Sequence, residues 1–265
     1  MNSWLRRAGT TVLPVPALPT IVQQATDRWP GQNTAAPPDN SQSLTRTLSF
    51  ANPVSSSNGI VLFGITYNLG QTGHGISITD NQGATWPTWS KRVEDVVENL
   101  TWCVFCLPRI ASSGSGYTIT ATFDLLEWQG IWMAEVNNLA ASPVLDAQGQ
   151  LQTASGTGGA LIDQLSTGTA LAGGTNRGII FAVGHNTTDA NAANGGGVGA
   201  PDIGTGWTAA NSGIIDWNGL ENEFVGPGGI VEYNTYTSIG SITPTFSPKK
   251  GAENYISIGI ALKGA

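Results

Sequence analysis

The chain has 265 residues, a formal net charge of −7 and only 11% charged side chains. That length exceeds an average domain but suits an all-β sandwich folded as one unit. The charge balance offers no basic stripe to displace counterions, which excludes a non-specific nucleic-acid binder, and no apolar run approaches the ~18 residues of a membrane span. Gly, Ala, Thr, Ser and Asn stand where charges are usual, so few groups need desolvating when the surface packs against a neighbour. Such a composition fits assembly proteins and secreted proteins. Arg6-Arg7, Lys91-Arg92 and Lys249-Lys250 are isolated pairs and read as solvated surface, with Arg6-Arg7 also able to meet an acidic partner.

Residues 1–43 read as an extended arm. Pro14, Pro16, Pro19, Pro30, Pro37 and Pro38 favour polyproline-like chain and break the apolar stretch that a signal peptide would need to keep helical. Ile21–Ala25 is read as one helical turn or a short strand. Trp4, Leu5, Leu13, Val15, Leu18, Ile21, Val22 and Trp29 are too apolar for an ordinary solvated tail. They predict an arm that docks on a partner subunit.

The body is predicted to begin near Leu44. Strands are expected at Leu44–Phe50, Ile60–Thr66, Gly75–Thr79, Thr101–Leu107, Tyr117–Phe123 and Gly130–Val136. A second set is expected at Gly178–Gly184, Trp207–Ala210, Gly229–Thr237, Ser241–Phe246 and Tyr255–Lys263. β-Branched and aromatic residues dominate them, with Gly, Pro, Asn and Asp between. Val93–Leu100 is expected as a short helix, residues 137–176 as a crossover with one or two edge strands, and residues 185–206 as a long surface loop. Cys103 and Cys106 lie in one strand three residues apart. They therefore point to opposite faces, about 10 Å apart, too far for a disulfide, and are read as core thiols.

The two sets repeat. Gly59-Ile60-Val61-Leu62-Phe63-Gly64 is echoed by Gly178-Ile179-Ile180-Phe181-Ala182-Val183-Gly184. Tyr117–Phe123 is echoed by Ser241–Phe246, and Ile131–Val136 by Ile256–Ala261, in the same order. A two-fold set is too short for a solenoid. It predicts an all-β fold: a two-layer antiparallel β-sandwich, jelly-roll-like, with pseudo-duplicated halves over residues 44–265 and the Pro-rich arm outside it.

Several stretches together carry a resemblance: Ile78-Thr79-Asp80-Asn81-Gln82-Gly83-Ala84-Thr85-Trp86, the aromatic run Trp102–Phe105, the Thr-rich Tyr117–Phe123, Ser142-Pro143-Val144-Leu145-Asp146 and the closing Ile258-Gly259-Ile260-Ala261-Leu262-Lys263. Over roughly residues 59–263 the chain resembles jelly-roll-like β-sandwich modules of bacteriophage virion proteins and of bacterial surface proteins. The resemblance implies a capsid decoration, head-fibre or tail-associated protein. It brings no catalytic motif.

No nucleophile elbow, P-loop, dinucleotide fingerprint, H-E-x-x-H or EF-hand spacing occurs. Asp124 with Glu127, and Asp216 with Glu221 and Glu223, are acids near Trp128 and Trp217, as in a glycosidase. Loop acids on an acidic protein account for them more simply. Glu135 is expected to face solvent or a partner. Asp80–Gly83 suits a hairpin turn better than calcium. His74 and His185 follow comparable strands and meet if the halves pack symmetrically, but two imidazoles make neither a triad nor a closed metal site. Of nine tryptophans, Trp102 and Trp132 are expected in the core, while Trp86, Trp89, Trp207 and Trp217 fall at strand ends or loops. Trp207 and Trp217 are the candidates for stacking on a host glycan.

The sequence thus predicts a non-enzymatic structural protein of the virion, without cofactor or metal. Its expected partners are other virion proteins, major capsid or tail, and copies of itself. The alternative is a carbohydrate-binding adhesin or receptor-binding module.

Overall fold

A computed structural model of the chain describes residues 17–28, 44–67, 75–95, 100–124, 129–141, 144–148, 152–155, 165–166, 177–186, 202–216, 228–238, 242–247 and 254–265. These contain no helix. The first-half strands are β1 (Ile21–Arg28), β2 (Thr45–Ser49), β3 (Gly59–Tyr67), β4 (Ile76–Asp80), β5 (Lys91–Asp95), β6 (Leu100–Leu107), β7 (Thr118–Phe123) and β8 (Gln129–Val136). The second half holds β9 (Leu145–Gln148), β10 (Gln152–Ser155), β11 (Leu165–Ser166), β12 (Gly178–Asn186), β13 (Asp202–Ile203), β14 (Thr208–Asp216), β15 (Gly228–Tyr236), β16 (Thr245–Ser247) and β17 (Asn254–Lys263).

The all-β antiparallel sandwich architecture expected from the sequence forms, with four sheets where two layers were expected, and the duplication runs through its topology. In the first half a five-stranded sheet has the order β1-β8-β3-β6-β5 and a three-stranded sheet the order β2-β7-β4. In the second half the orders are β10-β17-β12-β15-β14, with β9 also on β17, and β11-β16-β13. Strand for strand these match, with β1 equivalent to β10 and β8 to β17. Each half is a jelly roll, its chain crossing between a large and a small sheet. The fold is therefore layered as four sheets, small-large-large-small, because each half has enough strands to close its own sandwich.

Three cores fill the layers. Leu62, Phe105, Ile119, Phe123 and Met133 pack inside the first roll. Phe63, Trp102, Trp132, Phe181, Val231 and Ile260 pack between the two large sheets. Phe246, Ile180 and Tyr236 pack inside the second roll. The large sheets are thus covered on both sides, and β8 is buried at all eight positions. Their strands read as continuous apolar runs for that reason.

Strand β1 lies against β14, so one sheet order meets the other reversed. The ends match as well. Trp102 meets His185 at one end of the stack, while Leu139 bridges to Gly264 at the other. The rolls are therefore related by an approximate two-fold axis along the strands, the geometry of an isologous pair.

Three expectations are corrected. The arm does not extend to residue 43: Ile21–Arg28 is strand β1, paired with β8 from Ile21↔Val136 to Arg28↔Gly130. Ile21 packs against the core between the rolls, so it is engaged within its own chain, while Val22 remains 49% exposed. Leu18 is half-buried and its carbonyl accepts a hydrogen bond from Asn138 Nδ2 at 3.1 Å. Trp4, Leu5, Leu13, Val15 and Trp29 lie outside the described residues. Second, no helix starts at Val93; Lys91–Asp95 is edge strand β5, paired with Val104–Leu100, because an available sheet edge outweighs local propensity. Third, the loop expected over 185–206 is narrower, since His185 and Asn186 end β12 and Asp202–Ile203 forms β13.

Candidate functional site

The outer face of the first roll's small sheet is built by period-two alternation. In β2, β7 and β4 the apolar residues Leu48, Ile119, Ala121, Phe123, Ile76 and Ile78 point inward and are buried. The alternate positions carry Thr45, Thr47 and Ser49 on β2, Thr118, Thr120 and Thr122 on β7, and Ser77 and Thr79 on β4. Register aligns them in rows: Thr45↔Thr122↔Ser77, Thr47↔Thr120↔Thr79 and Ser49↔Thr118. Thr47 Oγ1 and Thr120 Oγ1 are 3.3 Å apart and share a hydrogen bond. All eight are exposed or half-buried. Arg46 turns to the other side, where Nε donates to Gln129 Oε1 at 3.3 Å and NH1 lies 3.6 Å from Asp27 Oδ2.

Two positions beyond the Ser77–Thr122 pair, past Ile76–Phe123, Gly75 and Asp124 continue the ladder. The Asp124 N–H donates to the Gly75 carbonyl at 3.3 Å, and the Gly75 N–H donates to Asp124 Oδ2 at 2.8 Å. Trp89 lies over the glycine. A Cβ on Gly75 would sit 3.5 Å from Trp89 Cζ3 and 3.8 Å from Asp124 Oδ2. Trp89 is 38% exposed and is the one exposed tryptophan among the described residues. The face thus carries rows of hydroxyls, a half-open indole at one end and, beside it, one carboxylate.

The other predicted site residues lie elsewhere. Trp207 is half-buried and packs with Ile180, Tyr236 and Ala261 inside the second roll, so it is a packing residue and not an open stacking platform. Trp217, Trp128, Glu127, Glu221, Glu223 and His74 lie outside the described residues. Trp86 packs on the first core and donates its Nε1–H to Asp80 Oδ2 at 2.9 Å. Asp80 also accepts from Tyr117 OH and from the amides of Gln82 and Ala84. Burial alone would raise its pKa, but these donors outweigh that and hold it below the usual carboxylate value. Its lone pairs serve the turn. Cys103 and Cys106 are buried on opposite faces and form no disulfide, and burial pushes Cys106 up to about 12.

Two carboxylates are buried in ways the sequence did not announce. Glu135 was expected to face solvent or a partner, but it is 1% exposed and faces into the end of the first roll. Its Oε1 accepts from the Ser55 amide at 2.9 Å and from Asn58 Nδ2 at 2.6 Å, and its Oε2 from Gln23 Nε2 at 2.6 Å. Glu232 lies between the sheets of the second roll, where Oε2 accepts the Gly204 N–H at 2.9 Å. Its Oε1 has no hydrogen-bond partner, and burial pushes the acid up to about 8, against a smaller opposing effect of the Gly204 and Thr245 amides. Neither carboxylate is open to substrate. No group of three or more His, Cys, Asp or Glu side chains poised for a metal occurs among the described residues.

Searches against protein-family models, curated proteins and solved structures return no match for this chain.

Proposed function

We propose that this chain is a structural, non-enzymatic protein of a virion, carried on the particle surface as a capsid decoration or stabilisation protein and held by its N-terminal segment. A tail or fibre position is the second placement. The observation that carries the reading is where the chain enters and leaves the fold. Leu18, Pro19 and Thr20 sit beside Asn137, Asn138 and Gly264, and the Ala265 amide donates to the Asn138 carbonyl at 2.8 Å. Entry and exit therefore share one end of the stack. A body attached there projects its four sheets away from its anchor, with the hydroxyl-bearing face of the β2-β7-β4 sheet outward. The apolar residues of segment 1–16, Trp4, Leu5, Leu13 and Val15, are then available to bury against shell or tail subunits, including further copies of this chain.

The resemblance to phage virion modules points the same way, and the low charge favours assembly without large desolvation costs. The test is direct. Quantitative mass spectrometry of density-purified particles should find the chain at a copy number comparable with the major shell protein. Removing residues 1–16 should leave the fold intact and abolish particle binding. Few copies per particle would move the protein to the tail. Unchanged binding without the segment would overturn the anchoring mechanism.

A further inference from the structure

We propose that the outer face of the β2-β7-β4 sheet is a glycan-binding surface, with Trp89 as the stacking platform and Asp124 as the orienting acceptor. A pyranose ring presents an apolar C–H face and an edge of hydroxyls. The half-open indole of Trp89 offers a partner for the first. Asp124 offers one for the second: its Oδ2 is fixed by the Gly75 N–H at 2.8 Å, and Oδ1 accepts no hydrogen bond from the described residues. The carboxylate is thereby oriented before any ligand arrives, which lowers the ordering cost of binding.

The rest of the face suits the remainder of an oligosaccharide. From Asp124 the sheet continues through Ser77, Thr122 and Thr45 to Thr79, Thr120 and Thr47, all exposed or half-buried. Each hydroxyl both donates and accepts, as sugar hydroxyls do. Neighbouring rows lie about 7 Å apart along the strands and neighbouring strands about 4.8 Å apart, so the hydroxyls recur on the scale of a sugar unit. Among the described residues of this face Asp124 is the one charged group, which favours a neutral glycan over a basic peptide, for which an indole and a lone carboxylate would also serve.

Gly75 ties the two together: it supplies the amide that holds Asp124, and its Cα lies beneath the indole, with a Cβ there 3.5 Å from Trp89 Cζ3, an ordinary contact distance. The surface is independent of particle attachment, since it lies on an outer layer of the stack and involves neither Leu18–Thr20 nor the C-terminal strand.

The experiment uses the purified full chain in affinity electrophoresis through gels containing neutral polysaccharides (dextran, galactomannan, hydroxyethyl cellulose) and phage-host O-antigen preparations, with a glycan array in parallel. Retardation by at least one neutral glycan is expected. Trp89→Ala should weaken it about tenfold, the ~1.4 kcal/mol of one stacked ring. Asp124→Asn should weaken it less, and Val22→Ala should leave it unchanged. Thr120→Lys, which places a charged chain in the middle of the face without touching the Trp89 contact, should weaken retardation as well and guards against W89A simply misfolding. Failure to bind any glycan, binding indifferent to both W89A and T120K, or a Trp89-dependent affinity for polylysine alone would each overturn the proposal. None of these outcomes bears on whether the chain is found on particles, so the two readings fail separately.

Discussion

Trp102 and His185 meet edge to face across the seam between the two jelly rolls, with ring centroids 5.4 Å apart and planes 77° to one another. One ring comes from β6 of the first half and the other from β12 of the second. Both belong to the inner face of a large sheet, and both are buried. The contact fixes which ends of the rolls coincide, and it places a titratable ring in the buried layer between the large sheets.

That burial gives the protein an acid limit. Desolvation pushes the His185 pKa down to about 3, against an unfolded value near 6.5. Below about pH 6.5 the unfolded chain binds a proton that the folded chain does not. The contribution is fully present above pH 6.5 and is lost as the pH falls toward 3. Urea midpoints measured from pH 7 to pH 4 should therefore drop in the parent and drop less in His185→Gln. Parallel curves for the two proteins would show that the imidazole is not the titrating group.

Glu232 acts on the other side. Burial raises its pKa to about 8 from an unfolded value near 4.5, so the folded chain holds a proton that the unfolded chain releases. Its contribution is fully present below pH 4.5 and is lost as the pH rises through 8. Between 4.5 and 6.5 the slopes of His185 and Glu232 oppose each other; from 6.5 to 8 Glu232 acts alone. Glu232→Gln keeps an acceptor for the Gly204 amide and removes the charge. It should flatten the stability curve above pH 6.5 and gain about 1–3 kcal/mol near pH 8, the cost of a buried unpartnered polar group. A variant less stable than the parent at pH 8 would show that the ionised carboxylate is well accommodated.

The strands most legible in the sequence are those buried on both faces. β3, β12, β8 and β17 must be apolar at nearly every position, so Gly59–Gly64 and Gly178–Gly184 stand out as a repeat even where individual residues differ. Edge strands leave a weaker trace. β1 reads Ile-Val-Gln-Gln-Ala-Thr-Asp-Arg, and only its pairing with β8 identifies it as sheet. Lys91–Asp95 is mostly charged, as an exposed edge can be, and so imitates a solvated helix. The four-sheet layering follows from apolar residues on both faces of the large sheets, a signal present in the runs but not in any single strand.

The site was legible only in part. Thr118, Thr120 and Thr122 alternate with Ile119, Ala121 and Phe123, and that alternation marks an exposed face. That Trp89 would lie on it could not be read, because Gly75 and Asp124 are 49 residues apart and meet only through the β4–β7 ladder. In sequence Asp124 stands near Glu127 and Trp128, whereas its partner in the fold is the Gly75 amide. Glu135 looked like an outward strand residue, but its position faces the end of the first roll, where Gln23, Ser55 and Asn58 receive it.

Removing the Glu135 carboxylate should loosen β1 selectively. Three donors converge on it, and Gln23 in turn accepts the Asn52 amide at 3.0 Å. Glu135→Ala would leave Asn58 Nδ2 and the Ser55 amide without their acceptor in a buried place, at a cost of about 2–4 kcal/mol. Amide exchange should accelerate first in Ile21–Arg28 and in the 52–58 connection, and later in β3 and β6. Uniform acceleration across the chain would mean that the carboxylate supports the whole roll and not the docking of β1.

Trp132 tests whether the two rolls unfold as one. Its ring lies 5.8 Å from Phe63 in its own half and 5.9 Å from Phe181 in the other, so it joins the two halves within the single core of the seam. Trp132→Ala should cost about 3–5 kcal/mol, because neighbours locked in two stacked sheets cannot collapse into the space left behind. The effect on cooperativity should be larger than the effect on either roll alone. Calorimetry of the parent should give a single transition, since neither large sheet can expose its inner face without the other. The variant should melt earlier and in two resolved steps, with the first roll, whose interior carries the larger apolar cluster among the described residues, persisting to the higher temperature. A parent that already melts in two steps would show that the seam does not couple the rolls, and that the isologous packing of the halves is a weaker association than the continuity of its apolar layer implies.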